Sequence, residues 1–168
     1  MYIPNVSVKV DITSLIGVRL GAKSSGAETV NFDVKAKLEE KERKSQMVIV
    51  GFNLLVATKP SIVKFEVEGA ATLTGKDAEI SKMLEVDPET KVPYVFQRIY
   101  QYAFTAMYLL STVLNATPPP QNLLFPRKEG IPVEDISVDV EAAPKEALSV
   151  QVAPPQSEEK GEVSVSNQ

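Results

Sequence analysis

The side chains of this sequence that could do chemistry are carboxylates, lysines, tyrosines and one isolated arginine, because the chain contains no histidine and no cysteine. Without histidine, the commonest general base and the commonest zinc ligand are both missing. Serine–histidine and cysteine–histidine nucleophiles are excluded outright. Acidic pairs stand at Glu39/Glu40 and Glu158/Glu159, but both lie in charged runs. A carboxylate dyad able to share a proton needs a cleft that pushes the two groups apart in acidity. No phosphate-cradling or dinucleotide-binding glycine pattern follows a strand, and Gly51, Gly69 and Gly75 are isolated residues that suit turns or bulges. Tyr94, Tyr100, Tyr102 and Tyr108 crowd one segment, whereas base stacking would require interleaved cations and only Arg98 is near. Tyrosines in such a segment suit a packing boundary, ring buried and hydroxyl wet. The inventory therefore points to a protein that binds, with no catalytic residue, metal, cofactor or nucleic-acid partner expected, and leaves an enzyme that works through lysine or carboxylates as the weakest alternative.

The segment carrying those tyrosines is also the most informative stretch of the chain. Tyr94 to Leu114 reads as a helix with apolar residues on two faces. Phe96, Ile99, Ala103, Met107, Leu110 and Leu114 form one, and Val95, Tyr102, Leu109 and Val113 the other. A helix that is apolar on more than one side must bury more than one side. In a chain this small a second copy most economically supplies the second cover, and Arg98, Tyr102, Leu109 and Val113 are the expected oligomer interface. Arg98 either pairs with a carboxylate across that interface, the favoured reading, or lays its stem over apolar surface. Pro118–Pro120 is expected to stop the helix. The following Leu123, Leu124 and Phe125 either pack on the protein's own core or form a mobile lip beside an apolar groove.

The elements before this helix read as strands. Val6, Val8, Val10 and Ile12 alternate with polar residues, and the pattern blurs over Leu15–Leu20 before a Gly/Ser/Ala loop. Val30, Phe32, Val34, Ala36 and Leu38 alternate cleanly, and the charge run Glu39–Lys44 is expected to end that strand in a solvated hairpin. Met47–Ala57 is apolar on both faces, as for a central strand covered on both sides. Ile62–Glu68 alternates again. Short connections predict that consecutive strands pair antiparallel as a meander. Asp77–Val86 predicts a short helix. The fold class is α+β: a four-stranded antiparallel meander sheet packed by a long C-terminal helix.

The chain has 168 residues, room for one domain and a tail. Residues 1–126 form the expected domain. Residues 127–168 carry nine acidic and four basic residues, several prolines and no aromatic, and are expected to be a largely disordered acidic tail. Within them Val133–Val140 shows weak alternation suited to a short strand. The N-terminus lacks the charged and apolar regions of a signal peptide. The longest apolar stretch is interrupted too often for a membrane span.

The order of these elements, with three local motifs, resembles the SecB family of export chaperones. The fourth strand with its terminal glycine, Ile62–Gly69 (IVKFEVEG), is similar to that family's phenylalanine-bearing strand. Pro93, Tyr94 and Arg98 resemble its proline–tyrosine–x–x–x–arginine helix start. Pro120, Gln121, Asn122 and Leu123 echo its proline–glutamine–leucine–asparagine–leucine loop, one residue shorter. The likeness spans roughly residues 5–126. Ala116–Thr117–Pro118 replaces the family's glycine–threonine–phenylalanine, and no second long amphipathic helix is evident after the loop. The resemblance implies a cytoplasmic homotetramer that holds unfolded or export-bound polypeptide in apolar grooves without ATP. Phe52, Leu54, Phe65, Tyr94, Leu123, Leu124 and Phe125 are then the candidate client-binding residues. The family's acidic tail engages a translocation ATPase, and residues 127–168 supply an acidic tail without a matching helix or zinc-partner signature. The alternative reading is a structural or assembly protein whose apolar helix builds a fixed homo-oligomer.

Overall fold

A computed structural model describes residues 5–21, 29–125 and 135–141. The elements are β1 (Ser7–Arg19), β2 (Asn31–Lys44), β3 (Met47–Lys59), β4 (Val63–Thr74), α1 (Asp77–Leu84), α2 (Tyr94–Val113) and β5 (Asp135–Glu141). The α+β class and the four-stranded antiparallel sheet are as the sequence implies, but the strand order is β1-β4-β3-β2-β5. β2–β3 and β3–β4 are the expected antiparallel neighbours, whereas β1 pairs with β4 and not with β2. The physical reason is the connection. Tight two-residue turns force a hairpin, but the Gly/Ser/Ala-rich segment after Leu20 imposes no such pairing on β1.

One face of the sheet carries the core. Val34, Ala36 and Leu38 of β2, Val48, Val50, Phe52, Leu54 and Val56 of β3, and Phe65, Val67, Ala71 and Leu73 of β4 are buried in register beneath the helices. Period-two alternation puts these residues on one side because successive side chains of a strand point oppositely. The other face of β3 is half-exposed at Met47, Ile49, Leu55 and Ala57. This strand is apolar on both faces yet fully covered only on one.

The blurred pattern in β1 has a concrete cause. Pairing with β4 slips by one residue between Ile12 and Ser14. The core-side positions are thus Val8, Val10 and Ile12 before the bulge, and Leu15, Gly17 and Arg19 after it. A bulge inserts one unpaired residue and flips the alternation beyond it. Gly69 lies opposite Ile12. A Cβ there would collide with the Asp11 carbonyl oxygen and lie 2.9 Å from Phe52 Cζ. Gly69→Ala is expected to cost about 1–3 kcal/mol, since overpacking here meets backbone rather than a yielding side chain. A urea titration reads this as a lowered midpoint with unchanged slope.

The charge run Glu39–Lys44 is not a loop. It continues β2 to the two-residue turn at Ser45–Gln46, with a second bulge between Glu40 and Glu42. Lys41 at that bulge lays its stem across Gly51, where any Cβ would strike it. Arg43 donates to both Glu40 carboxylate oxygens at 2.9 Å and to Asp77 Oδ1 at 2.8 Å. The charged hairpin arm is thereby tied to the first turn of α1. Hydrogen bonding to Glu40 is the main cause that raises the Arg43 pKa.

α1 buries Ile80 and Met83. α2 buries Val95, Phe96, Ile99, Tyr100, Ala103, Met107 and Ser111. It stops before the prolines: Asn115 takes a left-handed conformation (φ 50°), and Ala116 N donates to Ser111 O at 2.9 Å. A left-handed residue just past a helix satisfies its last carbonyls. Arg19 Nη1 adds a donor to Leu114 O at 3.4 Å, a cation where the helix dipole is negative.

Candidate binding surface

The triple-proline exit folds back over α2. Tyr100 Oη donates to Pro120 O at 2.6 Å, and Leu123 and Leu124 are buried in the same core as Phe96 and Ile99. Of the two readings left open for this loop, the structure shows it packed on the protein's own core. Tyr100 departs from the expected tyrosine pattern: its ring is buried and its hydroxyl is spent on a backbone carbonyl. Burial pushes its pKa well above the ordinary value. Tyr100 therefore favours folding in its neutral form, and that contribution is fully present below about pH 10 and lost as pH rises above it. Tyr100→Phe is expected to cost about 1 kcal/mol at neutral pH. It should also flatten the fall in melting temperature above about pH 10 relative to the unchanged protein.

The seven candidate client-binding residues therefore lie mostly inside. Phe52, Leu54, Phe65, Leu123 and Leu124 are buried and present no surface to a second polypeptide in this chain, while Tyr94 and Phe125 are half-buried. Tyr94 opens α2 beside the turn that follows α1. Its hydroxyl pKa is raised by desolvation first, then by the nearby carboxylates of Asp87, Glu85 and Glu89.

The four residues expected at an interface lie outside. Arg98 is exposed, as are Tyr102, Leu109 and Val113 at 51%, 62% and 80% of their full surface. Their spacing puts them on one side of α2, the side turned away from the sheet core. Tyr108 is also exposed, and half-buried Phe104 makes tilted ring contacts with Tyr100 and Tyr108, centroids 6.3 and 5.9 Å apart. Arg98 has no ion-pair partner among the described residues.

β1 extends this apolar surface. It is the open edge of the sheet, bonded to β4 on one side only among the described residues. Ile12, Leu15, Ile16, Val18 and Leu20 are all exposed. α2 comes down on β1 at Gly17, where a Cβ would lie 2.9 Å from Leu114 Cδ1 and 3.0 Å from Leu110 Cδ1. Glycine is what permits that approach. Towards the start of β1 the two elements part and leave a groove of about 720 Å³, lined by Val6, Val8, Arg98, Gln101, Tyr102 and Leu109 among others. The sequence pattern marked the helical side of this groove. On the β1 side it marked Val6 and Val8 only as part of an alternating strand, because periodicity does not tell which edge of the sheet a strand occupies.

Chemically the surface offers apolar contact, one unpaired cation and a row of free main-chain donors and acceptors. Among the described residues no acidic cluster suits a metal ion, and no helix is long and apolar enough to cross a membrane.

No family model matches the sequence, and no curated protein matches it. Among solved structures, the chain is similar to a Mycobacterium tuberculosis SecB-like chaperone in complex with a ChAD peptide from the HigA1 antitoxin, with 13% identity and a TM-score of 0.48 over 68% of this chain and 86% of that one.

Proposed function

We propose that this protein is an ATP-independent holdase that self-associates and captures unfolded polypeptide on apolar surface. One observation carries the reading: the exposed side of α2 and the open edge β1 together form apolar surface of a kind that soluble monomers rarely leave bare. Apolar burial is non-directional, so such a surface accepts many sequences. An open edge adds main-chain bonds, which are equally indifferent to sequence. The absence of histidine and cysteine and the lack of a phosphate-binding motif fit a task without catalysis or ATP hydrolysis. The groove beside Arg98 and Tyr102, and not the buried Leu123–Leu124 pair, is the proposed contact surface for a client, a second copy, or each in turn. A homotetramer, a cytoplasmic setting and engagement of a translocation ATPase by the acidic tail are further parts of this reading, and they rest on the family resemblance alone.

The test is light scattering by a chemically unfolded client diluted into buffer. Equimolar protein is expected to suppress the rise without added nucleotide. If scattering is unchanged while sedimentation shows a stable oligomer, the exposed surface serves only self-assembly. The chain is then a structural protein.

A further inference from the structure

Among the described residues the sheet ends on β1 at one side and on β5 at the other. β5 lies against β2 and makes the one parallel pairing of the described sheet. The pairing runs from Asp33↔Asp135 to Glu39↔Glu141, so Ile136, Val138 and Val140 stand in register with the buried Val34, Ala36 and Leu38. The core beneath β2 draws on β2, β3 and β4, on α1 and α2, and on Leu123 and Leu124. Parallel pairs are slightly weaker per residue than antiparallel ones, and an end strand has one partner instead of two. β5 also belongs to a segment separate in sequence from the β2–β3–β4 hairpins.

We propose that the β2 edge is a strand-acceptor site, filled in this chain by its own β5, and that an extended polypeptide with apolar residues at alternate positions replaces β5 in the same parallel register. β5 then competes with incoming strands from within the chain. It occupies the β2 edge when no client is present. Specificity is limited to alternation, because main-chain bonds supply the attachment and only every second side chain is read. The proposal depends on the holdase reading for the identity of the incoming strand, and not for the site itself.

Hydrogen exchange on the unaltered protein tests it first. Within Asp33–Glu39, alternate amides of β2 point to β3 and the intervening ones to β5. If β5 releases on its own, the β5-facing set exchanges at least about ten-fold faster than the β3-facing set. Equal protection of the two sets at the global level makes β5 an integral strand and overturns the proposal.

The second test uses the full chain carrying Ser137→Pro and Val138→Pro together. Two consecutive prolines remove one donor facing β2 whichever residue holds it. A fluorescent synthetic peptide of residues 134–142 is expected to bind this variant at least about ten-fold more tightly than the unaltered protein, which is still capped. The same peptide with prolines at the two positions should bind neither. Failure of the peptide to bind the variant, equal binding of the proline-bearing peptide, or loss of the variant's cooperative melt each refutes the proposal. Client aggregation is scored separately. If neither protein suppresses it but the peptide binds the variant, the holdase reading falls and the strand-acceptor site stands.

Discussion

Leu124→Ser is expected to destabilise the protein by several kcal/mol, well before any effect on binding is felt. Leu124 is 1% exposed and Leu123 2%, both within the core that α2 covers. Truncating a buried leucine costs about 2–5 kcal/mol in lost transfer energy and residual cavity. A serine hydroxyl left there without a partner adds about 1–3 kcal/mol. The loop cannot readily collapse into the gap, because Tyr100 pins Pro120 at 2.6 Å and the prolines stiffen the backbone on that side. A denaturant titration should show the midpoint fall with little change in slope. Phe125→Ser is the internal comparison: half-buried at the end of the same loop, it should cost distinctly less. If Leu124→Ser melts like the unaltered protein but loses client binding, the loop is a binding lip and its buried placement does not represent the working state.

The opposite outcome is expected of Leu109→Lys combined with Val113→Lys. Both residues project from the outer side of α2, and surface substitutions away from caps and cores usually stay within about 0.5 kcal/mol. Lysine is also a good helix former. Burying two such side chains in an interface is worth about 1.5–3 kcal/mol each, so removing both should weaken self-association by roughly 100-fold or more. Sedimentation velocity across a dilution series reads this directly, and the aggregation assay on the same samples separates assembly from capture. Unchanged sedimentation would clear this stripe of any part in assembly.

Much of this was legible in the chain before the structure. The alternation of Val30–Leu38 and Ile62–Glu68 marked strands correctly because their faces differ in burial. The first apolar face of Tyr94–Leu114 is buried around Phe96 and Met107 and the second is exposed at Tyr102, Leu109 and Val113, whereas Val95, assigned to the second face, is buried with the first. Three features were not legible, each for its own reason. The pairing of β1 with β4 depends on long-range register, which the sequence between β1 and β2, rich in glycine, serine and alanine, does not specify. The length of β2 was hidden by Glu39–Lys44, since charges on a hairpin arm that reaches into solvent look like a loop. The place of Leu123 and Leu124 was ambiguous because a short apolar run after prolines carries no period, and neither the core contacts that bury them nor the bond from Tyr100 to Pro120 can be read from it.

The slip beside Thr13 has a consequence for how this chain could change. It is the reason Gly17, and not Ile16 or Val18, lies under the end of α2. Loss of that single codon would leave Ile12 and Ser14 opposite Gly69 and Glu68 as before and only straighten the strand. A residue inserted just beyond Ser14 would instead exchange the two sets: Ile16 would be driven into the space that now holds only a hydrogen atom, and Leu15 would be turned outward. Inherited variation along the first strand should therefore tolerate the loss of one residue at Thr13 far better than the gain of one beyond it.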